Sequence, residues 1–442
     1  MPINPTSLEE ENIVALEAFM EQKPAKLFSA QGIIQPLRRR NFALLFSGQL
    51  VSNIGDMFYA VALPWFMLSG GGGAQALGTV LAAYGIPRAA SVLLGGVLSD
   101  RLLPRRIMLL TDAVRVFLMA ALAAVIAQGH PTLWLLCLLS ALLGLFSGLF
   151  IPASWAVTPS VLSGEELQAG NALITSSAQL AGVVGAGIAG AVVAWLQPAG
   201  TLALDALTFV ISALTLFFIR DINIFRSTDS VHADVDRTEE SSLTIWQLLR
   251  RSRLLQIMII LMVFMNLGNG AAFEVALPAF IHNQIHADAS GYGFILAGFS
   301  VGVVIGAIVA GGLGQIPYRF LCGLACFFFM GILIWLLAYM GNIWIGVLIM
   351  LGAGVLNGLG NVIILTVVQA ILPKRLMGRV MSVFAFANFG LYPFSVAIAG
   401  VLIPHYGTNF IFIVNGLLLI VPCIWGGLQR DFWRRDEVQL FA

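Results

Sequence analysis

The sequence has few charged residues and very little cysteine for its length. Only 10% of its 442 residues are charged and 59% are hydrophobic, whereas soluble proteins have roughly 25% charged residues. This composition excludes a soluble globular protein. The cysteines are expected to be small packing residues in apolar stretches, since they predict neither a disulfide framework nor a metal site. They are Cys137, Cys322, Cys326 and Cys423.

Several catalytic and cofactor motifs are missing as well. The chain has no His-Glu-x-x-His and no Gly-x-Ser-x-Gly motif, and its histidines fall in predicted loops, which argues against an intramembrane enzyme. The glycine run at 70–73 lacks the Lys-Ser/Thr of a phosphate-binding loop, which excludes a pump driven by its own ATP hydrolysis. We therefore expect no cofactor, metal or nucleotide, and the net charge of +1 supports no nucleic-acid partner.

What the chain has instead is twelve long apolar stretches. A helix needs about 20 apolar residues to cross roughly 30 Å of hydrocarbon. The sequence therefore predicts an all-α membrane protein with 12 transmembrane helices in two six-helix bundles. The predicted spans lie near 42–68, 75–98, 107–127, 132–154, 167–195, 201–219, 254–281, 290–313, 318–340, 344–371, 378–404 and 409–427.

Positive charge falls on one side of these spans. Alternate loops contain no Lys or Arg, namely 69–74, 128–131, 196–200, 282–289, 341–343 and 405–408. The other basic residues lie near the opposite ends of the spans or in the terminal segments, and Arg88 alone lies deep within one. Because short cytoplasmic loops retain Lys and Arg during insertion, both termini are predicted to be cytoplasmic and the protein to lie in the cell membrane.

A long polar segment divides the spans into two similar halves. The sequence Asn53-Ile54-Gly55-Asp56 in the first span matches Asn266-Leu267-Gly268-Asn269 in the seventh, and Tyr84-Gly85 matches Tyr292-Gly293. Two parallel copies imply a pseudo-twofold axis along the membrane normal, with a substrate site between the halves. The predicted units are an N-terminal cytoplasmic segment 1–41, a first bundle 42–220, a linker 221–252, a second bundle 253–428 and a cytoplasmic tail 429–442.

The loop after the second span has a charged motif that indicates a family. It reads Gly-Val-Leu-Ser-Asp-Arg-Leu-Leu-Pro-Arg-Arg over 96–106. It resembles the signature of the major facilitator superfamily, Gly-x-Leu-Ala-Asp-Arg-x-Gly-Arg-Arg, although Leu103 replaces the second glycine. Further stretches resemble the macrolide-efflux and enterobactin-exporter branch of drug:proton antiporters. They include 41–42, 48–49, 55–56, Asp112 with Arg115, 167–173, 205–209 and 378–380.

The same motif predicts a gate at the inner ends of the spans. Asp100 lies at the end of the second span, where a carboxylate can accept hydrogen bonds from the positive N-terminus of another helix. The start of the eleventh span is on the same side, so we expect a clasp between Asp100 and Gly378-Arg379. The alternative is that these charges only anchor the helices. The candidate gate residues are Gly96, Asp100, Arg101, Arg105, Arg106, Asp112, Arg115, Gly378 and Arg379.

Four ionisable residues lie deep in the predicted spans, namely Asp56, Arg88, Asp205 and Glu274. A charge at mid-membrane costs roughly 2.5–3.5 kcal/mol or more, so each is a candidate for proton coupling. Asp56 and Arg88 lie roughly 21 Å and 16 Å from the inner surface at about 1.5 Å per residue, and they can form a pair. That pair has two open interpretations, a proton-coupled site or a permanent structural contact. Asp205 is expected to hydrogen-bond within the bundle, and Glu274 is the second candidate proton carrier.

Candidate cargo contacts are spread over several spans. Adaptable apolar walls with few polar anchors are typical of sites for lipophilic molecules. Each aromatic side chain on its own is also explained by packing. The candidate cavity residues are Asn53, Phe58, Asn266, Asn269, Asn357, Asn361, Phe384 and Asn388.

Secondary transport by alternating access is the leading functional prediction. The resemblance implies export of a drug-like or siderophore-like small molecule, with the proton gradient as the energy source. Uptake or lysolipid translocation by a relative is the alternative, and a non-transporting receptor or scaffold is a third interpretation. The expected partners are a small-molecule cargo and the lipid bilayer, with the chain acting as a monomer.

Replacing Asp100 with Asn tests the clasp. We expect cells that produce this variant to lose transport, measured as resistance to a panel of lipophilic drugs, because a neutral amide cannot hold the helix N-terminus electrostatically. The amount of protein in the membrane fraction should be unchanged. Resistance equal to that of the wild type would contradict the clasp.

Overall fold

The structure is a computed structural model that describes residues 35–70, 72–129, 131–162, 164–219, 253–313, 318–371 and 390–429. Within these ranges the chain is helical and contains no β-strand. The helices are α1 Arg40–Ser69, α2 Gly73–Arg101, α3 Pro104–Ala127, α4 Leu133–Val161, α5 Gly164–Leu180, α6 Ala186–Phe218, α7 Arg253–Asn269, α8 Leu277–Phe280, α9 Ala289–Gly312, α10 Arg319–Leu336, α11 Ile343–Ile371 and α12 Tyr392–Gly427.

Eight helical stretches of the described residues are long and apolar enough to cross a membrane. Two of them consist of two helices joined at a kink. Gln197 has φ 61° inside α6, and Gly407 has φ 78° inside α12. These turns fall in the predicted loops 196–200 and 405–408, so the stretch on each side corresponds to one predicted span. The number of spans and the cytoplasmic location of the termini stay predictions.

Two predicted spans contain π-helical segments that the sequence analysis did not anticipate. The fifth span is interrupted at Ala181–Gly185. The seventh is interrupted at Gly270–Ala276 and again at Ile281–Ile285, and its helix continues into the predicted loop before ending at His286. A π-helical segment adds a residue to a turn, changes which side chains face a neighbour and is frequent at functional sites. Glu274 lies on the segment Gly270–Ala276.

Glycines allow the helices within each half to approach closely. In the first half, Gly144 of α4 rests on the backbone of Tyr84 in α2. In the second half, a Cβ atom on Gly302 of α9 would lie 2.8 Å from the Val355 nitrogen of α11 and 3.0 Å from the Gly354 Cα. Small residues at such crossings permit the backbone contact that drives helix association in lipid. In each half, the helices packed in this way are those of the second and fourth predicted spans.

The buried core is continuous across the two halves at the predicted outer ends but divided at the predicted inner ends. One cluster joins Leu77 of α2, Ala206 of α6 and Ile403 of α12. At the inner ends, Leu45 and Met108 belong to a cluster confined to the first half. A separate inner cluster is confined to the second half and includes Ile257, Leu324 and Val367. The described helices therefore have the halves packed together outside and separate inside.

Two helix pairs make most of the outer contact between the halves among the described residues. In the first pair, a Cβ atom on Gly78 of α2 would lie 2.8 Å from the Cα of Gly400 in α12. In the second, a Cβ atom on Gly190 of α6 would lie 2.6 Å from the Cα of Ser290 in α9, and one on Gly293 would lie 3.2 Å from the Cα of Gly190. These distances leave no room for a side chain, so the contacts require glycine.

Replacing Gly302 with Ala should destabilise the second half. Its methyl group would meet α11 backbone atoms that cannot move aside, and overpacking of this kind costs about 1–3 kcal/mol. The measurement is the thermal unfolding midpoint of the detergent-purified protein. Gly312 lies in the same helix, and among the described residues a Cβ atom there would be more than 4 Å from any atom outside its own stretch of helix. Gly312→Ala is therefore the matched control, and an equal effect of both substitutions would contradict the packing.

Candidate functional site

A buried ion pair lies in the first half. The Arg115 Nη2 donates to Asp112 Oδ1 at 2.6 Å, and both side chains are almost completely buried. The Ser212 hydroxyl of α6 donates to the second Asp112 oxygen at 2.7 Å. The Arg115 guanidinium also lies 4.6 Å and 4.2 Å from the ring centroids of Phe150 and Phe209. This arrangement connects α3 with α4 and α6, and the charges of Asp112 and Arg115 compensate each other.

The described part of the candidate gate shows a helix cap. The Arg105 Nε donates to the Leu216 carbonyl at 2.9 Å, and its Nη2 donates to the Phe217 carbonyl at 2.7 Å. A cation is favourable here, since helix C-terminal carbonyls lack partners within the helix and carry partial negative charge. Arg106 is exposed. Gly378 and Arg379 lie outside the described residues, as do the side chains of Asp100 and Arg101, so the clasp stays a prediction.

The repeated sequence motif occupies matching places in the two halves. A Cβ atom on Gly55 of α1 would collide with Asp205 and Thr208 of α6. A Cβ atom on Gly268 of α7 would collide with the Asn415 amide of α12. Asp205 is fully buried and accepts a hydrogen bond from Thr208 at 3.1 Å. The corresponding contact is therefore acidic in the first half and uncharged in the second.

Asp56 and Arg88 do not form the direct ion pair that the sequence suggested. Arg88 and Arg115 both act electrostatically on Asp56, but the ion pairs found among the described residues are Arg115–Asp112 and Arg39–Glu166. The reason lies in the packing: α1 packs mainly on α6, whereas α2 packs mainly on α4 and α12. The two charges share a central cluster without forming an ion pair with each other.

Glu274 has a partner that the sequence did not reveal. The Tyr392 hydroxyl of α12 donates a hydrogen bond to Glu274 Oε2. Arg88 of the first half acts electrostatically on both Glu274 and Tyr392, and its guanidinium lies 5.5 Å from the Tyr84 ring centroid. Asp56 and Glu274 are each half-buried, whereas Asp112 and Asp205 are fully buried. Solvent therefore has better access to the first two carboxyl groups.

Most described candidates for cargo contact are occupied by internal interactions. Asn53 donates to Ser177 at 3.3 Å, and Asn266 donates to the Met262 carbonyl at 2.9 Å. Phe58 is buried in the core. The structure also places Asn361 against Asn357, with a hydrogen bond of 3.0 Å.

Asn269 is the cargo candidate with unused polar capacity. Its buried Oδ1 has no hydrogen-bond partner among the described residues. Phe384 and Asn388 lie outside those residues, so their assignment stays a prediction.

A large apolar cavity lies between one helix of each half, on the predicted inner side. It has a volume of about 800 Å³ and lies between the fifth predicted span and α9. The wall from the fifth predicted span contributes some polar groups, while the wall from α9 is apolar. The lining residues are Thr175, Ser176, Gln179, Leu180, Val183, Val301, Val303, Val304, Ile305, Ala307 and Ile308. The π-helical segment Ala181–Gly185 contributes Val183 to the wall from the fifth predicted span.

Sequence reasoning did not connect the tyrosines with the central charges that they surround. Tyr59 and Tyr84 lie with their ring centroids 5.5 Å apart, and Tyr392 contacts Glu274. The matched Tyr-Gly pairs of the repeat gave a signal for Tyr84 and Tyr292. No comparable signal existed for Tyr392, because its role depends on contact between distant parts of the chain.

Comparison with known proteins agrees with this architecture. The family model described as Major Facilitator Superfamily matches residues 45–389 and 259–431. Among curated relatives, the uncharacterized MFS-type transporter YfmI of Bacillus subtilis is 21% identical over 89% of this chain and 97% of its own length. The uncharacterized MFS-type transporter y4rN of Sinorhizobium fredii is 26% identical over 87% and 93%, respectively. The match to YvqJ of Bacillus subtilis, 23% identical over 62% of this chain, spans 65% of that protein.

Solved structures share the fold at low sequence identity. A bacterial homologue of the iron transporter ferroportin, in its inward-facing state, has a TM-score of 0.66 and 17% identity over 88% of this chain and 99% of its own. A D-xylose-proton symporter has a TM-score of 0.66 and 14% identity over 92% and 98% of the two chains. At these identities the likeness shows the fold alone.

Replacing Arg115 with Gln should strongly destabilise the protein. It leaves the Asp112 charge buried without its partner, and loss of one member of a buried pair costs about 3–5 kcal/mol. Arg39→Gln is the control, since Arg39 is 61% exposed in its pair with Glu166 and exposed pairs contribute about 1 kcal/mol or less. Thermal unfolding midpoints measure both effects. Equal midpoints for the two variants would contradict a structural role for the buried pair.

Proposed function

Because the chain belongs to the major facilitator superfamily and is therefore a secondary transporter rather than an enzyme, we propose that it exports a lipophilic drug-like or siderophore-like molecule in exchange for protons. The mechanism we assign is alternating access, in which the two halves expose a central site to each side in turn. We further propose that the protein acts as a monomer in the cell membrane, with both termini cytoplasmic.

The observation that carries proton coupling is the central pair of half-buried carboxyl groups near the interface between the halves. Asp56 comes from α1 and Glu274 from the π-helical segment after α7. An isolated charge at this depth is costly, so a carboxyl group there is favoured when it binds a proton or an opposite charge. Arg88 provides an opposite charge to both. Proton binding at Glu274 would therefore change the attraction between the halves, and proton binding at Asp56 would change its attraction to Arg88 within the first half.

The inner cavity supports a lipophilic cargo. Its volume of about 800 Å³ is within the range of small-molecule sites. Apolar side chains of α9 line one wall, and Thr175, Ser176 and Gln179 provide polar groups on the other. A site with broad apolar walls and few polar groups accepts molecules that partition into membranes. An opening at the predicted inner ends is where an exporter would collect them.

A second candidate function is translocation of a lysolipid by the same cycle. The α9 wall of the cavity includes exposed apolar side chains, with Ile305 at 41% and Ile308 at 70% exposure. In a membrane such residues contact lipid. A single-chain lipid could therefore enter from the side, with its tail against α9 and its headgroup near the polar wall.

Proteoliposomes with an internal pH-sensitive dye test the proposed coupling. Lipophilic cations, catechol siderophores and lysophospholipids serve as separate probes. For the transported class, the wild-type protein should move protons when cargo is added. Asp56→Asn should reduce that movement at least about tenfold, because the amide cannot carry a proton in exchange.

Asp288→Asn is the matched control, since Asp288 is exposed before the start of α9. The control should transport like the wild type. Proton movement unchanged in Asp56→Asn would overturn the role of Asp56. A response only to lysophospholipid would favour the second function.

A further inference from the structure

The cavity between the fifth predicted span and α9 has hydrogen-bonding side chains on one wall only. Thr175, Ser176 and Gln179 line it from α5. Gln179 follows the other two by four and three residues, so all three share a face of the helix. The opposite wall consists of valine, isoleucine and alanine side chains from α9. A molecule in the cavity therefore meets polar groups along one edge and apolar surface along the other.

Ser176 and Gln179 have hydrogen-bonding capacity that the described part of the chain leaves unused. Both are exposed, and no hydrogen bond joins either side chain to another described residue. The Thr175 hydroxyl donates to the Asn171 carbonyl at 2.9 Å, which leaves its oxygen able to accept. The amide of a glutamine can donate and accept at once. Asn53, by contrast, is committed to an internal hydrogen bond.

No charged residue lines this cavity among the described residues. An ionised ligand that leaves water for apolar surroundings needs an opposite charge, because the loss of its hydration is strongly unfavourable. Asp56 and Glu274 belong to the central cluster and not to this lining. Hydroxyl and amide groups can instead satisfy the polar groups of a neutral ligand. The cavity therefore favours an uncharged molecule.

The rim of the cavity belongs to the lipid-facing surface of both helices. Leu180 is 51% exposed, and exposed Val184 and Ile188 follow it at intervals of four residues. Ile188 lies at the level where the two halves are packed together, so its exposed side faces lipid. On α9, Phe294 and Ile305 are both exposed and lie about three turns apart on one face. A molecule dissolved in the membrane can therefore reach the cavity from the side.

The cavity is elongated and closed at its outer end. Thr175 to Val183 extends over roughly 12 Å at about 1.5 Å per residue. A Cβ atom on Gly182 would lie 2.9 Å from the Ser300 hydroxyl oxygen of α9, and further out one on Gly190 would lie 2.6 Å from the Ser290 Cα. A molecule can lie along the cavity, but it cannot pass outward between these helices.

A second groove shows that the polar wall is not a general feature of this protein. A groove of about 540 Å³ lies between α3 and the second part of α6. Alanine, valine, leucine and glycine alone line it, within 116–127 and 199–210. Lipid chains need no hydrogen bonds, so contact with lipid explains such a groove. The cavity beside α9 offers hydrogen bonds that a lipid chain cannot use.

We propose that the cavity selects uncharged amphiphiles from the inner half of the membrane, and that Gln179 is the residue that selects them. The polar edge of the molecule hydrogen-bonds to Gln179 and Ser176, while its apolar side lies against Val304 and Ile308 of α9. This names the class of cargo for the proposed export, on which it rests for its part in transport. Binding to the cavity is measurable without a proton gradient.

Photolabelling of the wild-type protein in lipid nanodiscs tests the site. The probe is monododecanoylglycerol with a diazirine in its chain, which is uncharged and has hydroxyl groups in its head. Adducts located by mass spectrometry should fall within 175–183 and 301–308, and unlabelled monododecanoylglycerol should displace them. Adducts within 116–127 are the internal reference for lipid contact and should not be displaced.

Two competitors with similar chains test the selection against charge. Dodecyltrimethylammonium has a positive headgroup, and dodecanoyl lysophosphatidylglycerol has a negative one. Each should displace the probe from the cavity at least about tenfold less effectively than monododecanoylglycerol, because neither charge finds an opposite charge in the lining.

Substitutions at Gln179 test its role at pH 8. Gln179→Leu should weaken competition by monododecanoylglycerol about tenfold, as expected for a hydrogen bond lost in apolar surroundings. Gln179→Glu adds a carboxylate to the wall, so dodecyltrimethylammonium should compete at least about tenfold better than in the wild type. Gln128→Leu is the matched control, since Gln128 is exposed directly after the end of α3, and it should match the wild type.

Each part of the proposal has a result that would overturn it. Equal competition by the three headgroups would overturn the selection of uncharged molecules, and a lack of displaceable adducts in the cavity would overturn the site. Equal results for Gln179→Leu and Gln128→Leu would overturn the role of Gln179. If competition is as expected while no probe drives proton movement in liposomes, the proposed exchange fails and the site stands. Proton movement driven by a cationic probe alone would keep the exchange and overturn the cargo class.

Discussion

The close backbone contact between the halves at their predicted outer ends is the constraint on which the rest of the structure depends. Gly78 meets Gly400 and Gly190 meets Gly293 at distances that exclude side chains. Lipid gives no hydrophobic drive for helices to associate, so such crossings depend on packing of this kind. Because the halves meet there, the outer core is continuous and the inner clusters are separate. The cavity follows from that separation.

Among the described residues, two arrangements of charge within the predicted spans stand out. Asp112 and Arg115 are buried together, with a serine and two aromatic rings completing their surroundings. In that arrangement the two charges compensate each other, and the pair holds α3, α4 and α6 together. Asp56 and Glu274 are half-buried near the interface instead, with Arg88 acting on both. A charge at mid-membrane is costly in either form, but only the second form can respond to a proton without breaking the bundle.

The sequence predicted the class of fold well because its signals are local. Hydropathy located the apolar helices, and the repeat at 53–56 and 266–269 anticipated the matching contacts of Gly55 and Gly268. Glu274 and Arg88 were identified by the cost of burying charge. The direct Asp56–Arg88 pair was wrong, because depth along two consecutive helices does not determine which neighbours each helix packs against. The cap made by Arg105 was hidden for the same reason.

The sequence by itself determined the helical membrane architecture, the family and the few ionisable residues that need an explanation. That information is contained in the composition, in the alternation of loops with and without Lys or Arg, and in linear motifs. Only the tertiary structure decided that Tyr392 contacts Glu274, that Gly85 admits the tyrosine ring and that Arg88 faces both from the opposite half. These relations join residues over 100 positions apart, and the π-helical segment shifts which side of the helix Glu274 occupies. Neither effect leaves a pattern in the linear chain, because both arise from how the halves pack.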